Sequence, residues 1–339
     1  MKRIGIIGFG FMGRMHYRCW KATEGAQVVA ICDADAAALT SRGKAQGNIA
    51  GAEGVVDLRE IAVYSDPEEL FARGKLDAVS ITLPTHLHAK WTIRALEAGL
   101  HVLCEKPMAL TLAEGVQMLE AAERSGKLLQ IGHCIRFWPE YVKAKEIVDS
   151  GAYGQVISAG FQRFSATQHS KLGTWFSRED QSGGMILDLH VHDTDFIHCL
   201  FGMPKSVCSH AAVTPDGGIA QILTQYRYPD GGLITAEGGW AMTPSFGFSM
   251  RFQIVLEKAV LSFDHKQSPT LKLCPADGEA TAPLLEPGDG YSRQIEHFLR
   301  QIRGESIPPV ITPRQAWDTL RIVEAERESA GKGSYVDIT

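Results

Sequence analysis

Ile4-Gly5-Ile6-Ile7-Gly8-Phe9-Gly10-Phe11-Met12-Gly13, followed at a distance by Val28-Val29-Ala30-Ile31-Cys32-Asp33, is the stretch on which the reading of this chain turns. Ile4, Ile6 and Ile7 form the apolar run of a parallel strand covered on both faces, and Val28 to Ile31 form the next. Between them lies G-x-G-x-x-G, and Asp33 stands twenty positions beyond Gly13. The hexad alone is weak evidence because glycine is common; strand, hexad, helix and acid in that order are specific. Gly8 permits the tight turn, Gly10 lets a pyrophosphate approach the backbone, and Gly13 lets the helix pack closely on the strand. The helix N-terminus then offers unpaired N–H groups to the phosphates. Asp33 can accept hydrogen bonds from ribose hydroxyls and would repel a 2′-phosphate, so NAD is expected and NADP is disfavoured. Capping of a helix over 34–39 by the same carboxylate is compatible with that use.

Outward from this stretch, apolar strands alternate with helical segments to about residue 132, the pattern of an α/β doubly wound parallel sheet. Strands are expected at Ala62 to Tyr64, Leu76 to Leu83, His101 to Cys104 and Leu128 to Ile131. Asp66 with Pro67 opens one helix, Thr85 caps another that ends at Gly99, and Thr111 with Glu114 forms a capping box for a third reaching about Ser125. The Gly-rich interval from Gly47 to Gly54 has no clear place. Beyond residue 150 the runs Ile219 to Tyr228 and Leu233 to Trp240, joined by Pro229-Asp230-Gly231-Gly232, read as a hairpin. Phe252 to Leu256, Val260 to Phe263 and Leu271 to Cys274 continue the β-rich texture. A second, α+β domain is therefore expected, with a largely antiparallel open sheet and helices on one face. Two helices close the chain, Tyr291 to Arg303 and one capped by Thr312 with Pro313 at its first position. The division is a dinucleotide-binding domain over 1–132 and a substrate and oligomerisation domain over 133–339, whose last helix can pack back on the first.

The 339 residues suffice for two cores, and 45% hydrophobic with 22% charged residues is ordinary globular composition. A net charge of −5 gives no footprint for nucleic acid or anionic membrane. No apolar run reaches the roughly eighteen residues a membrane span needs, and the apolar start, interrupted by Gly5, Gly8 and Gly10, reads as strand and not as an export signal. Seven cysteines without a C-x-x-C pair read as reduced thiols, hence a cytoplasmic protein.

In a doubly wound sheet, ligands bind beyond the carboxyl ends of the strands, which puts Leu83, Pro84, His86, Glu105 and Lys106 on the cofactor's side with Gly8, Gly10, Phe11, Met12, Gly13 and Asp33. Lys106 there can donate to a substrate oxygen, and burial beside a cationic nicotinamide would lower its pKa; a solvated loop lysine is the plainer alternative. The second cluster is Ser182-Gly183-Gly184-Met185-Ile186-Leu187-Asp188-Leu189-His190-Val191-His192-Asp193-Thr194-Asp195. Ile186, Leu189, Ile197 and Leu200 recur at helical spacing, so a helix from about Met185 to Leu200 would carry Asp188, His192 and Asp195 on one face. An imidazole between two carboxylates is suited to accept a proton. An exposed polar helix face is the bland alternative. The H-x-H of His190 and His192 suggests a metal, but on a helix residues two apart diverge, so no metal is expected.

Gly8-Phe9-Gly10-Phe11-Met12-Gly13, Pro84-Thr85-His86-Leu87-His88, Glu105-Lys106-Pro107 and Gly183 to Asp193 together resemble the glucose-fructose oxidoreductase, inositol dehydrogenase and rhizopine-catabolism family, written Gfo/Idh/MocA. The resemblance spans nearly the whole length. It implies a nicotinamide-dependent oxidoreductase of a sugar, cyclitol or related polyol, with the active site between two domains. It also implies Lys106, Asp188 and His192 as the catalytic group, with Asp195 and Arg136 toward the substrate, a cis Lys106-Pro107 bond, and homodimers or homotetramers formed through the second domain's sheet. Trp175 and Tyr291 are further candidate substrate contacts, with Phe137, Trp138 and His169 as pocket candidates, although aromatic residues at such places are more often packing. Competing readings are an NADPH-dependent reductase of an oxidised sugar or non-sugar carbonyl, transient use of NAD in glycoside cleavage, a non-catalytic dinucleotide-binding sensor, and a metal hydrolase using His190 and His192.

Overall fold

A computed structural model describes residues 1–35, 58–166, 173–214, 217–229 and 231–338. The interval Gly47 to Gly54, most of the 34–39 helix, His169 and Asp230 lie outside the described residues. The chain separates into two compact units, Met1–Phe137 with Asp289–Trp317, and Trp138–Gly288 with Asp318–Thr339.

The first unit is built on β1 (Lys2–Ile7), β2 (Ala26–Cys32), β3 (Ala62–Tyr64), β4 (Ala78–Ile81), β5 (His101–Glu105) and β6 (Leu129–Gly132). They form one parallel sheet in the order β3-β2-β1-β4-β5-β6, the doubly wound order whose switch point lies between β1 and β4. Ile4, Ile6 and Ile7 are fully buried, as strands covered on both faces require. Helix α1 (Phe11–Ala22) lays Met15, Cys19 and Trp20 on this sheet, and the Trp20 indole donates to Ser80 Oγ at 2.9 Å, satisfying the polar group buried in β4. Among the described residues, the other helices between these strands are α2 (Pro67–Arg73), α3 (His88–Glu97) and α4 (Leu112–Ser125). The Thr111–Glu114 box forms as expected, while Asp66 caps α2 through Glu68 N–H. Two expectations fail locally. Thr85 caps nothing: it is the buried first residue of a 3₁₀ turn, Thr85–Leu87, that precedes α3. The strand expected over Leu76 to Leu83 covers only Ala78–Ile81, because the residues after it turn to form the loop at the sheet's carboxyl edge.

In the second unit, after α5 (Pro139–Asp149), come β7 (Val156–Ala166), α6 (Val191–Phe201), β8 (Ser206–Val213), β9 (Ile219–Arg227), β10 (Leu233–Met242), β11 (Ser249–Leu256), β12 (Ala259–Asp264), β13 (Leu271–Pro275) and β14 (Val336–Asp337). The sheet order is β13-β12-β11-β7-β10-β9-β8-β14. Every pairing is antiparallel except β7 with β10 at the centre, so the sheet is mixed at one seam. Strand alternation leaves one face bare. On β9, Ile222, Thr224 and Tyr226 are buried while Leu223, Gln225 and Arg227 are exposed, and β11 repeats this with Met250, Phe252 and Ile254 against Arg251 and Gln253. The covered face holds a cluster of edge-on aromatic rings, Tyr141 against Phe196, Phe252 and Phe263 at 4.7 to 5.3 Å.

The chain ends in α7 (Gly290–Ile302), which packs Ile295, Phe298, Leu299 and Ile302 into the first unit's core, and α8 (Pro313–Lys332), within which the unit boundary falls. Thr312 opens α8 with a reciprocal cap to Gln315 at 3.1 and 2.9 Å.

Candidate active site

At the end of β1, Gly8 adopts φ +88°, its N–H donates to Cys32 O at 2.8 Å, and its carbonyl accepts from Thr82 Oγ1 at 2.6 Å. A Cβ at Gly8 would lie 2.7 Å from Thr82 O, and one at Gly13 would lie 2.1 Å from Gly8 O. Both glycines are therefore demanded by the protein itself. Gly10 is different, since nothing lies within 4 Å of the place a Cβ would take. Gly10 also begins α1 with no side-chain cap, leaving the first-turn N–H groups, those of Phe11 and Met12 among them, for a ligand. Asp33 flanks this turn, accepting from Phe9 N–H at 2.5 Å and from Asp35 N–H at 2.8 Å. Two backbone donors occupy half of a carboxylate's capacity, and the remainder suits ribose hydroxyls. The open cradle and anchored acid fit an adenine dinucleotide. Gly10→Ala is accordingly expected to leave the melting temperature unchanged and to weaken NAD binding about tenfold or more, read by titration calorimetry. An unaltered affinity would remove Gly10 from the cradle.

Lys106 follows β5, half-buried, and its bond to Pro107 is cis. The preceding Glu105 turns inward: its carboxylate is 2.9 Å from His16 Nε2 and 3.3 Å from the Lys106 N–H, so the expected cofactor contact is a buried acid that anchors the Lys106 backbone. Burial raises the Glu105 carboxyl, but the His16 hydrogen bond and the charges of His16, Lys106 and His88 outweigh it and hold the group below its ordinary value. His88 lies between two loops, with Nδ1 2.8 Å from Pro107 O and Nε2 2.9 Å from Leu83 O. Burial pushes this imidazole below its usual range, against the two carbonyls and the Glu105 charge. Leu83, Pro84 and His86 line the β4 loop, partly exposed. His16 was not legible as a site residue, since a histidine inside a helix has no partner until the sheet is assembled; His88 carried only the signal of its place in the Pro84 to His88 run. Burial also pushes the Cys104 thiol up to about 12, which favours the neutral thiol behind Lys106.

In the second unit, Gly183 and Gly184 both take positive φ, +77° and +71°, and reverse the chain into a π-helical turn, Ile186–His190, which runs on into α6. From Met185 to His198, Asp188 and His192 are the only side chains that are not buried. The buried acids and the threonine of the motif are held from behind. Asp193 pairs with Arg163 at 2.9 and 3.0 Å, and that guanidinium also reaches the Tyr141 hydroxyl at 3.2 Å. Thr194 donates toward Glu326 at 3.0 Å, and Asp195 accepts from Thr319 Oγ1, which also lies 3.1 Å from His198 Nδ1. Asp195 thus differs from the expectation that it faces substrate: it is fully buried against α8, and the accessible face extends from Asp188 to His192 only. His190, fully buried, has Nε2 3.3 Å from Glu326 Oε2, apart from the accessible His192. Among the described residues, no three His, Cys, Asp or Glu side chains are grouped to hold a metal ion.

The remaining candidates fall at different places. Arg136 is buried within the first unit, 3.4 Å from both Val310 O and Gln315 Oε1, which makes it a brace for the start of α8 and not a surface group. Tyr291 is half-buried against the first unit's core, Phe137 packs on the His297 ring at 5.4 Å, and Trp138 precedes α5. Trp175 is 36% exposed and stands edge-on to Phe176, which packs on Trp240.

Residues 2–133 match the family model described as an oxidoreductase family with an NAD-binding Rossmann fold, and residues 141–262 match the GFO/IDH/MocA C-terminal domain. Among curated proteins, the chain is 28% identical to an inositol 2-dehydrogenase of Saccharopolyspora erythraea, covering 99% of this chain and 95% of the relative. It is equally 28% identical to a D-glucoside 3-dehydrogenase of Escherichia coli, covering 99% and 97%. Among solved structures, an aldose-aldose oxidoreductase from Caulobacter crescentus superposes with a TM-score of 0.83 at 21% identity over 99% of each chain, a likeness of fold. The two matched segments take in most of both units, and the chain belongs to the Gfo/Idh/MocA family of NAD-binding oxidoreductases.

Proposed function

We propose that this protein oxidises a ring hydroxyl of a sugar, cyclitol or related polyol with NAD, the first unit binding the dinucleotide and the second the substrate. The observation that carries the reading is the isolation of Asp188 and His192 as the two accessible side chains of an otherwise buried helical segment. Relatives along the whole chain act, by name, on inositol and glucosides, which supports a carbinol of a polyhydroxylated ring as the substrate.

NAD, when bound at Gly8 to Gly13 and Asp33, supplies the hydride acceptor. His192 accepts the hydroxyl proton, and Asp188, one helical turn before it, orients the ring and favours its charged form. Lys106 donates a hydrogen bond to the same oxygen as negative charge develops there. Glu105 and His88 act one step removed, holding the backbone on either side of Lys106. Asp33 opposes the NADPH-dependent alternative through repulsion of the 2′-phosphate. Incubation with NAD+ and a panel of cyclitols, aldoses, glycosides and uronates is expected to yield NADH with at least one ring polyol, and NADP+ to react about tenfold more slowly or less. No turnover across the panel in either direction would remove the reading.

The bare face of the second sheet supports self-association into a dimer or tetramer. A polar ladder crosses it, Arg251 to Gln162, Gln162 to Glu237 and Gln221 to Glu237, with Leu223 and Leu233 exposed beside it. A solution mass of one chain by light scattering would contradict this. All seven cysteines are free thiols and, among the described residues, no helix is long and apolar enough to cross a membrane; a reducing, cytoplasmic setting fits both.

A further inference from the structure

Behind the accessible Asp188 and His192 lies a fully buried carboxylate, Glu326 of α8. Three side chains converge on it. The Tyr226 hydroxyl donates to Oε1 at 2.6 Å, Thr194 Oγ1 lies 3.0 and 3.3 Å from the two oxygens, and the His190 ring stands against the same carboxylate, Nε2 3.3 Å from Oε2 but outside hydrogen-bond geometry. Burial, reinforced by the Glu326 charge, pushes the Tyr226 hydroxyl far above its ordinary range, so it stays a donor. The sheet makes room for the imidazole, because a Cβ at Gly238 would stand 2.7 Å from His190 Nδ1.

The placement of these contacts matters more than their number. His190 ends the π turn that carries Asp188, and Thr194 sits in the first turn of α6 beside His192. A π turn has one residue more per turn than its continuation, so the rotation between Asp188 and His192 is not fixed by regular helical hydrogen bonding alone. Thr194, hydrogen-bonded to Glu326 on one side of His192, and His190, its ring packed against the same carboxylate on the other, fix it. Stability does not call for such a group, since a buried ionisable cluster is commonly no more stabilising than apolar residues of the same shape.

We propose that Glu326 is a positioning residue for the reaction, which by accepting the Thr194 hydrogen bond and standing against the His190 ring sets the directions in which Asp188 and His192 leave the helix. The inference rests on the assignment of those two residues under Proposed function.

Glu326→Gln keeps the volume and one acceptor oxygen while removing the charge and turning a donor toward Thr194 and His190. It is expected to lower kcat about tenfold, with KM for the polyol and Kd for NAD each within about twofold of wild type, because a small misorientation affects the reacting geometry more than binding. Thr194→Val, which deletes one of the two hydroxyl donors to Glu326 without changing shape, is expected to lower kcat by a few fold in the same pattern. Histidine-selective NMR adds a readout independent of turnover: the His192 ring resonances are expected to shift in Glu326→Gln, and those of His101 in the first unit to stay in place. A kcat unchanged in both variants, a loss matched by the loss of folded protein in thermal melts, or unmoved His192 resonances would overturn the proposal. A wild-type protein inactive on every polyol would instead sink the functional reading, and the NMR comparison would still decide the positioning role.

Discussion

A Lys106→Met protein is expected to oxidise its polyol about a hundredfold more slowly than wild type while binding NAD with nearly the same affinity. Methionine keeps the length and most of the apolar volume of lysine and removes the charge, so the substitution isolates what the ammonium does. The backbone at this position is fixed independently of the side chain, by Glu105 accepting the Lys106 N–H and by His88 at Pro107 O. The loop should therefore keep its shape. A donor aimed at developing negative charge in a site sheltered from water contributes about 3 kcal/mol to the barrier, which is the size of the expected loss. Stopped-flow or steady-state measurement at saturating NAD+ reads it, and a rate within about threefold of wild type would discard Lys106 as a catalytic group.

The second large effect is on stability. Arg163→Met is expected to lower the unfolding free energy by about 3 to 5 kcal/mol, because it leaves Asp193 buried without its partner. Arg163 lies on the covered side of β7, and its guanidinium meets both oxygens of Asp193, the Tyr141 hydroxyl and the Met250 sulfur. For a protein of this size the melting temperature should fall by roughly 4 to 7 °C. Replacing Asp193 by Leu in the same protein is expected to recover part of the loss, since the unpaired charge is then gone. Calorimetry tests both, and a melting temperature within about 2 °C of wild type for Arg163→Met would show that the pair carries no such load.

The same arginine explains what was hard to read in the sequence. The first unit was legible nearly strand by strand, because its strands are buried on both faces and stand out as Val, Ile and Leu runs between capped helices. β7 does not stand out in the sequence: its inward positions run Ala159, Phe161, Arg163, and an arginine in a core position breaks the apolar alternation unless the partner Asp193 is known. β8 escaped for a related reason, with Ser206, Ser209 and Ala211 too small and polar to mark a strand. Of the proposed site, Lys106, Asp188 and His192 can be picked out from motif and spacing. Counting helical steps puts Asp195 on the same face but cannot foresee that α8 covers it and offers Thr319 as its donor. His16, Glu326 and Arg136 act through contacts more than eighty residues away in sequence, and no local pattern announces such pairs.

The most direct test of the chemistry is a double-mutant cycle on kcat with Lys106→Met, His192→Ala and the combined variant at saturating NAD+. If lysine and imidazole act on one substrate oxygen, the combined variant should be no more than a few fold slower than the slower single variant. Losses that multiply, each group contributing as though the other were absent, would contradict a shared hydroxyl.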